Sequence, residues 1–372
     1  MRRILFTLLA WLIPAAQASA PLPVSAKAWL LADLSSGQVL AAENPDQPFE
    51  PASLTKLMTS YLAFAALRDE KFAVDGRVKV PEHVLKVPGS RMFIEPGKPV
   101  TVDELIRGVV VHSGNDAAIA LAEAIAGSET AFVAMMNGEA ERLGMKGTRF
   151  TNATGLPDPH HYSTAHDLYL LASALIRDFP ERYAEYYAQR EFRYNGITQL
   201  NRNRLLWVDP TVDGLKTGHT EAAGYCMIAS AKRGPRRLLS VLLGSDSESG
   251  REQDSLKLLN WGYQFFDSVK LFERGEAVKS IEVWKGSRAE VKAGIRGGLV
   301  VSVPRGSADK LTADLVSHPP LIAPVAAGER VGMLRLTLDG KPFGEYPVVA
   351  LETVAVAGFF GRAWDTLRLW LK

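Results

Sequence analysis

Near the start of the chain, two short apolar runs flank a polar turn. Ala28-Trp29-Leu30-Leu31-Ala32-Asp33 and Gln38-Val39-Leu40-Ala41 lie on either side of Ser35-Ser36-Gly37, which predicts two strands joined by a tight connection. The spacing then switches to that of helices. One helix is predicted over residues 54–67, and residues 101–178 are mostly helical. Thr101 with Glu104 forms a capping box, Gly127 stops one helix, Ser128 caps the next, and Ser163 caps a third that carries Leu168, Leu170, Leu171, Leu175 and Ile176. Strands return at residues 225–231 and 237–243. A last helix over 251–266 places Leu258, Leu259, Gly262, Phe265 and Phe266 on one side. Strands from both ends of this region enclose a helical middle, which predicts an α+β domain whose sheet is assembled from distant segments.

After about Leu271 the pattern becomes short and alternating. Ile281-Glu282-Val283-Trp284, Leu299-Val300-Val301-Ser302-Val303 and Leu334-Arg335-Leu336-Thr337-Leu338 read as strands, and Asp339-Gly340 is a hairpin signal. A small all-β domain is expected. The two chain ends differ from both regions. Arg2 and Arg3 precede an apolar run over residues 4–16, followed by small residues with overlapping A-x-A sites, the pattern of a signal peptide cut after Ala18 or Ala20. At the other end, Val356, Phe359, Phe360, Ala363, Trp364, Leu367, Trp370 and Leu371 fall on one helical stripe. Arg362, Asp365, Thr366, Arg368 and Lys372 gather opposite, too many charges for a transmembrane span and the composition of a helix lying on a membrane surface. The expected organisation is residues 1–18 signal peptide, 19–270 α+β domain, 271–352 β-domain and 353–372 amphipathic helix.

The chain has 372 residues, 47% hydrophobic and 23% charged, with a formal net charge of +2. Two of the positive charges, Arg2 and Arg3, belong to the removable segment. The remainder is near neutral, with no basic field for nucleic acid. A single cysteine, Cys226, excludes an intramolecular disulfide and a cysteine-based metal site, so stability must come from the core.

Three short motifs carry candidate chemistry. Ser53-Leu54-Thr55-Lys56 places a lysine one helical turn from a serine, close enough to act as its base if burial lowers the lysine pKa. A second S-x-x-K, Ser307-Ala308-Asp309-Lys310, lies among short strands and is assigned no function. Ser113-Gly114-Asn115 falls where one helix ends and another begins; its serine can relay a proton and its amide can hold a carbonyl. Lys216-Thr217-Gly218-His219-Thr220 precedes a strand, and its cation and hydroxyl suit a carboxylate. Arg202 is either a second cation for that carboxylate or a member of a structural ion pair. His160, His161 and His166 with Asp158 and Asp167 lack metal-site spacing, and no metal or cofactor is expected. Cys226, Trp207 and Trp261 are expected to be packing residues.

S-x-x-K, S-x-N and K-T-G in this order form a set shared by serine-acylated β-lactam targets. With Pro51-Ala52 before the first motif, Asp116-Ala117 after the second, Tyr162-Ser163-Thr164-Ala165-His166-Asp167, Asn201-Arg202-Asn203 and Asp213-Gly214-Leu215 before the third, the chain resembles the D-alanyl-D-alanine carboxypeptidases of the low-molecular-mass penicillin-binding proteins from about Ala28 onward. The resemblance implies a β-lactamase/transpeptidase-like catalytic domain, a small β-sandwich-like domain and a C-terminal helix on the outer face of the cytoplasmic membrane. It implies Ser53 as nucleophile, Lys56 as general base, Ser113 as proton shuttle and Asn115 as substrate-orienting residue. Lys216 and Thr217 would bind the terminal carboxylate, Gly218 would let an extended peptide approach the backbone, and the N–H groups of Ser53 and His219 would form the oxyanion hole. The implied substrates are peptidoglycan stem peptides ending in D-Ala-D-Ala, β-lactams are the implied inhibitors, and the implied role is in wall maturation and cell shape. Two rivals are weighed. A β-lactamase on the same fold needs a carboxylate-activated water, and no Glu-x-x-Leu-Asn occurs between Asn115 and Lys216. A catalytically weak envelope-binding protein is disfavoured by the complete set of motifs.

Overall fold

The computed structural model describes residues 23–317, 320–359, 362, 364 and 365. The expected signal peptide lies outside the described residues, as do positions 360, 361, 363 and 366–372 of the expected amphipathic helix; the helix does not begin at 353 as expected, because Val354 and Val356 bridge Val325 and Gly286 and Val354 is fully buried. The chain divides into two compact units between Gln264 and Phe265.

In the first unit, the elements run β1 (Ala28–Asp33), β2 (Gln38–Glu43), α1 (Lys56–Arg68), the ribbon β3 (Arg77–Val78) and β4 (Val100–Thr101), then α2 (Val102–Arg107), α3 (Asn115–Ala126), α4 (Glu129–Leu143), α5 (Ala165–Asp178) and α6 (Pro180–Tyr186). A hairpin of β5 (Glu191–Tyr194) and β6 (Ile197–Leu200), the short α7 (Leu205–Val208), and β7 (Val212–Thr220), β8 (Gly224–Arg233), β9 (Arg236–Ser245) and α8 (Glu248–Phe265) complete it. The main sheet has the order β2-β1-β9-β8-β7, every neighbour antiparallel. The first strands therefore pair with one of the last, as the distribution of strand signals predicts. Every residue of β1 is buried, because both sheet faces are covered. Alternate side chains Leu30, Ala32, Leu239, Val241 and Leu243 join the core built by α1, α3 and α5. The opposite face receives α8 so closely that a Cβ on Gly262 would lie 2.8 Å from Leu238 and 3.0 Å from Leu31.

The capping box of Thr101 with Glu104 is present, and Ser128 caps α4. Two expectations are corrected. Thr164, not Ser163, caps α5, accepting from the Asp167 N–H; the Ser163 backbone pairs with Phe49 instead. Trp207 is 43% exposed rather than packed, with the Arg190 guanidinium over its ring at 5.9 Å, whereas Trp261 and Cys226 are buried.

The second unit begins at Phe265, directly before its first strand β10 (Phe266–Phe272), and not after Leu271. Phe265 and Phe266 continue the apolar stripe of α8 in sequence, which hides the point where helix gives way to strand. β11 (Ala277–Trp284), β12 (Glu290–Gly294), β13 (Leu299–Pro304), β14 (Leu311–Ser317), β15 (Leu321–Ile322), β16 (Arg330–Leu338) and β17 (Lys341–Ala350) follow. They form a sheet of order β14-β16-β17-β12-β11-β15 and a β10-β13 pair around Val283, Val291, Val301, Leu334, Leu336 and Val348. Asp339 and Gly340 join β16 to β17 with φ of 52° and 72°, the left-handed pair that a two-residue hairpin turn demands. The second S-x-x-K lies here, in a single 3-10 turn over Ala308–Lys310 with Lys310 exposed.

Candidate active site

Ser53 sits in a 3-10 turn, Ala52–Thr55, that leads directly into α1. The turn is set by Ala52, whose φ of 46° is left-handed, an uncommon conformation for a residue with a Cβ and one that the surroundings must enforce. Gly155 is part of that enforcement. It packs against the turn so tightly that a Cβ would overlap the Ala52 carbonyl oxygen.

Lys56, the first residue of α1, is 1% exposed. Its Nζ contacts Ser53 Oγ at 2.9 Å, Asn115 Oδ1 at 2.7 Å and the Thr154 carbonyl oxygen at 2.6 Å. Burial pushes its pKa from 10.5 down to about 7, against the opposing attraction of Asp116. A neutral amine in this position keeps two N–H donors on Asn115 and Thr154 and turns its lone pair to the Ser53 hydroxyl. The arrangement is a hydroxyl beside a base that titrates near neutrality.

The second motif reaches the same point from behind. After α2 the helix widens into a π turn over Gly108–His112 and stops at Ser113, φ 67°. Such widened turns concentrate at functional sites. Ser113 Oγ is buried with no hydrogen-bond partner among the described residues, a group left for an occupant of the cleft. Asn115 donates through Nδ2 to the Pro88 carbonyl at 2.7 Å, so its amide is already braced and one N–H remains. Its neighbour Asp116 accepts from the N–H groups of Met92, Phe93 and Ile94 at 2.8, 2.8 and 3.2 Å, fixing the loop that forms one wall.

The third motif lies on β7, an edge strand of the main sheet. Lys216 is buried, and among the described residues its Nζ donates only to the Thr217 carbonyl, at 3.0 Å. Burial, then the charges of Lys56, Arg202 and Arg251, hold it well below the usual lysine range. Gly218 brings the strand against the nucleophile's turn; a Cβ there would lie 3.1 Å from Ser53 N and from the Pro51 carbonyl. His219 packs across the strand pair against Tyr225, ring centres 4.1 Å apart and planes tilted by 31°. Arg202 donates to Ser90 Oγ at 3.2 Å and makes no ion pair with an acidic side chain among the described residues. All nine expected site residues thus meet in the catalytic unit. A cleft of about 610 Å³ is lined by Ser53, Ser113, Asn115, Thr217, His219 and Arg202, among others; Lys56 and Lys216 lie buried behind its wall.

Sequence reasoning missed four contributors. Arg251, in the first turns of α8, donates to the Gly218 carbonyl at 3.1 Å and pairs with Glu248 at 3.0 Å. Asp116 and Gly155 hold walls, and Thr154 acts through its carbonyl. Only Asp116 carried a signal: an acid directly after S-x-N at the start of an apolar helix. The histidines weighed as metal ligands are dispersed. His160 meets Asp158, His166 meets Asp46, and His161 is buried against Thr55. Among the described residues no group of three or more His, Cys, Asp or Glu is placed to hold a metal ion.

Comparison with known proteins agrees with this geometry. A family model described as D-alanyl-D-alanine carboxypeptidase matches residues 15–247, and one described as the C-terminal domain of penicillin-binding protein 5 matches residues 266–356. The chain is 43% identical over 350 residues to the D-alanyl-D-alanine carboxypeptidase DacC of Escherichia coli (strain K12), covering 92% of this chain and 87% of that protein. It is 34% identical to DacF of Bacillus subtilis (strain 168), with 93% and 90% covered. Penicillin binding protein 5 from Haemophilus influenzae superposes with a TM-score of 0.88 at 39% identity, covering 91% of this chain and all of that one. Penicillin-binding protein D2 from Listeria monocytogenes, solved in its ampicillin-bound form, matches at 0.61 and 32% identity over 66% of this chain and all of that one. With the three motifs gathered in one cleft and a match running nearly the whole length, the chain belongs to the D-alanyl-D-alanine carboxypeptidase family.

Proposed function

We propose that this serine-type D-Ala-D-Ala carboxypeptidase works through Ser53, with Lys56 as its base. The Ser53 proton passes to the Lys56 amine as Oγ attacks the carbonyl carbon of the penultimate D-alanine. The oxyanion that forms is met by the N–H groups of Ser53 and His219. Ser113, which lines the same cleft, carries the proton from Lys56 to the leaving amine, the C–N bond breaks, and the terminal D-alanine departs. Water, deprotonated by the same lysine, then hydrolyses the ester and frees Ser53. Lys216 and Thr217, with Arg202 and Arg251 nearby, bind the carboxylate that marks the end of the stem peptide. Asn115 braces Lys56 and offers its remaining N–H to the substrate.

The observation that carries this reading is the 2.9 Å contact between Ser53 Oγ and a fully buried lysine whose pKa is pushed to about 7. Its test is mass spectrometry after incubation with a labelled penicillin. One adduct is expected, on Ser53. An adduct retained by Ser53→Ala, on Ser307 for example, would overturn it.

The substrates proposed are peptidoglycan stem peptides ending in D-Ala-D-Ala, with β-lactams as covalent inhibitors that mimic that end. The proposed location is the outer face of the cytoplasmic membrane, reached by export and held peripherally by the C-terminal stripe. What supports this is the sequence pattern at the two ends and the exposure of Phe359 (73%) and Trp364 (63%).

A further inference from the structure

One of the three hydrogen-bond partners of Lys56 Nζ is a backbone carbonyl from the loop over residues 151–161. The same loop accepts the Thr59 hydroxyl through the Ala153 carbonyl at 2.7 Å. Backbone carbonyls hold their place only if the loop does. Within the loop, Asn152 Oδ1 accepts from the Thr154 and Gly155 N–H groups at 3.1 and 2.7 Å and Glu129 accepts from the Ala153 N–H at 2.9 Å; what joins the loop's two ends to the Ser53 turn is His161, which is 2% exposed. Its Nδ1 lies 3.1 Å from the Thr151 N and 3.1 Å from Thr151 Oγ1, and its Nε2 lies 2.8 Å from Thr55 Oγ1. The Thr151 N–H can only donate, so Nδ1 carries the lone pair and the proton is assigned to Nε2, donating to Thr55. Burial pushes the ring pKa down to about 4, so this neutral form persists throughout the range in which Lys56 titrates. The Phe150 ring meets the imidazole edge-on at 5.7 Å and fixes its plane. The imidazole thus ties the first and last residues of the loop to the turn that carries Ser53.

We propose that His161 is a positioning residue for acyl transfer: it locks the 151–161 loop to the Ala52–Thr55 turn, so that the Thr154 carbonyl stays on Lys56 Nζ and the amine lone pair stays on the Ser53 hydroxyl. This rests on Lys56 being the base for Ser53. The neutral amine nitrogen is tetrahedral. When Asn115 Oδ1 and the Thr154 carbonyl hold two N–H groups, the lone pair has one direction in which to meet Ser53. Release the carbonyl and the amine rotates. A misplacement of this order costs about a hundredfold in rate. Carboxylate recognition belongs to β7 and does not pass through His161, so the loss falls on the acylation step and not on initial binding.

The test uses the full chain and a fluorescent penicillin, separating the dissociation constant of the first complex from the acylation rate constant. His161→Ala and Thr55→Val should each slow acylation by about 10- to 100-fold with the dissociation constant unchanged. Their combination should be no slower than the worse of the two. His161→Gln, whose amide offers a donor and an acceptor, should recover most of the rate. Lys56→Ala is the control: normal acylation there would sink the reading of Ser53 and Lys56 itself. With Lys56→Ala inactive, any of three results overturns the role of His161: normal acylation by His161→Ala, losses that add fully in the double variant, or a loss confined to binding. Should His161→Ala fail to fold, Thr55→Val and His161→Gln carry the same test, since a slow His161→Gln also overturns it.

Discussion

The pKa of Lys56, about 7 in place of 10.5, makes a quantitative statement about acylation as pH changes. If the neutral amine is the reactive form, its fraction is about 0.09 at pH 6, 0.5 at pH 7 and 0.9 at pH 8, so acylation should accelerate roughly tenfold from pH 6 to pH 8 and then level off. An ordinary lysine would be only about 0.3% neutral at pH 8, and its rate would still be climbing tenfold per pH unit there. The same displacement has a stability cost with a definite sign. Between about pH 7 and 10.5 the unfolded chain holds a proton on this lysine that the native chain lacks, so stability rises with pH across that window, by about 5 kcal/mol over its full width. Below pH 7 both states are charged and the native state carries the whole penalty. The assay is the second-order rate of Ser53 acylation from pH 5.5 to 9, followed by mass, with a β-lactam that does not titrate in that range. A profile that is flat, or that still rises tenfold per unit above pH 8, would refute Lys56 as a buried base. Lys56→Arg, which cannot give up its proton, should lose about 10²- to 10⁴-fold at every pH.

Lys216→Met should cripple turnover of peptides with a free terminal carboxylate far more than of amidated ones. It should also stabilise the empty protein by about 1–3 kcal/mol, since it removes a buried amine with no acidic partner; a lower melting temperature or equal losses on both peptides would contradict this. Gly155→Ala, at φ 82° and against the Ala52 carbonyl, should displace the nucleophile's turn and slow acylation by about a hundredfold or more, measured with labelled penicillin beside a thermal melt; wild-type acylation would show that the turn does not depend on that contact. Deleting residues after Gly358, which leaves the buried Val354 and its bridge to Val325 in place, should release a soluble enzyme that still cleaves a short D-Ala-D-Ala peptide, and Trp364→Glu should weaken binding to anionic vesicles. Continued pelleting of the truncated chain with membranes would rule the segment out as an anchor.

Much of the fold was legible because the sequence's period changes where the structure does. The capping residues Thr101 and Ser128 and the Asp339-Gly340 turn act locally, so their chemistry fixes geometry without help from distant chain. The boundary between units was less legible. Phe265 and Phe266 are equally apolar, and only the pairing of Phe266 with Pro304 assigns the second of them to a strand. Ser163 and Thr164 illustrate the same limit: either can cap a helix, and the bridge from Ser163 to Phe49 leaves the role to Thr164.

The three motifs were recognisable because side-chain chemistry must sit at fixed spacing within each one. What makes them a site is different in kind. Thr154 contributes a carbonyl, Gly155 an absence of side chain, and Arg251 a guanidinium from a helix packed behind the strand. None of these has a spacing to read, because each is set by the fold and not by its neighbours in sequence. They also explain why the motifs alone do not make a catalyst. Ser53 and Lys56 one turn apart on an exposed helix would leave the lysine charged at neutral pH. It is the wall raised by Thr154, Asn115 and the turn around Ala52 that excludes water and lowers the pKa. The native state accepts that electrostatic cost because the core on both faces of the sheet can bear it. The second S-x-x-K has the same letters on an exposed turn in the β-domain and none of that surround. The difference between the two copies is therefore burial, and burial is a property of the fold.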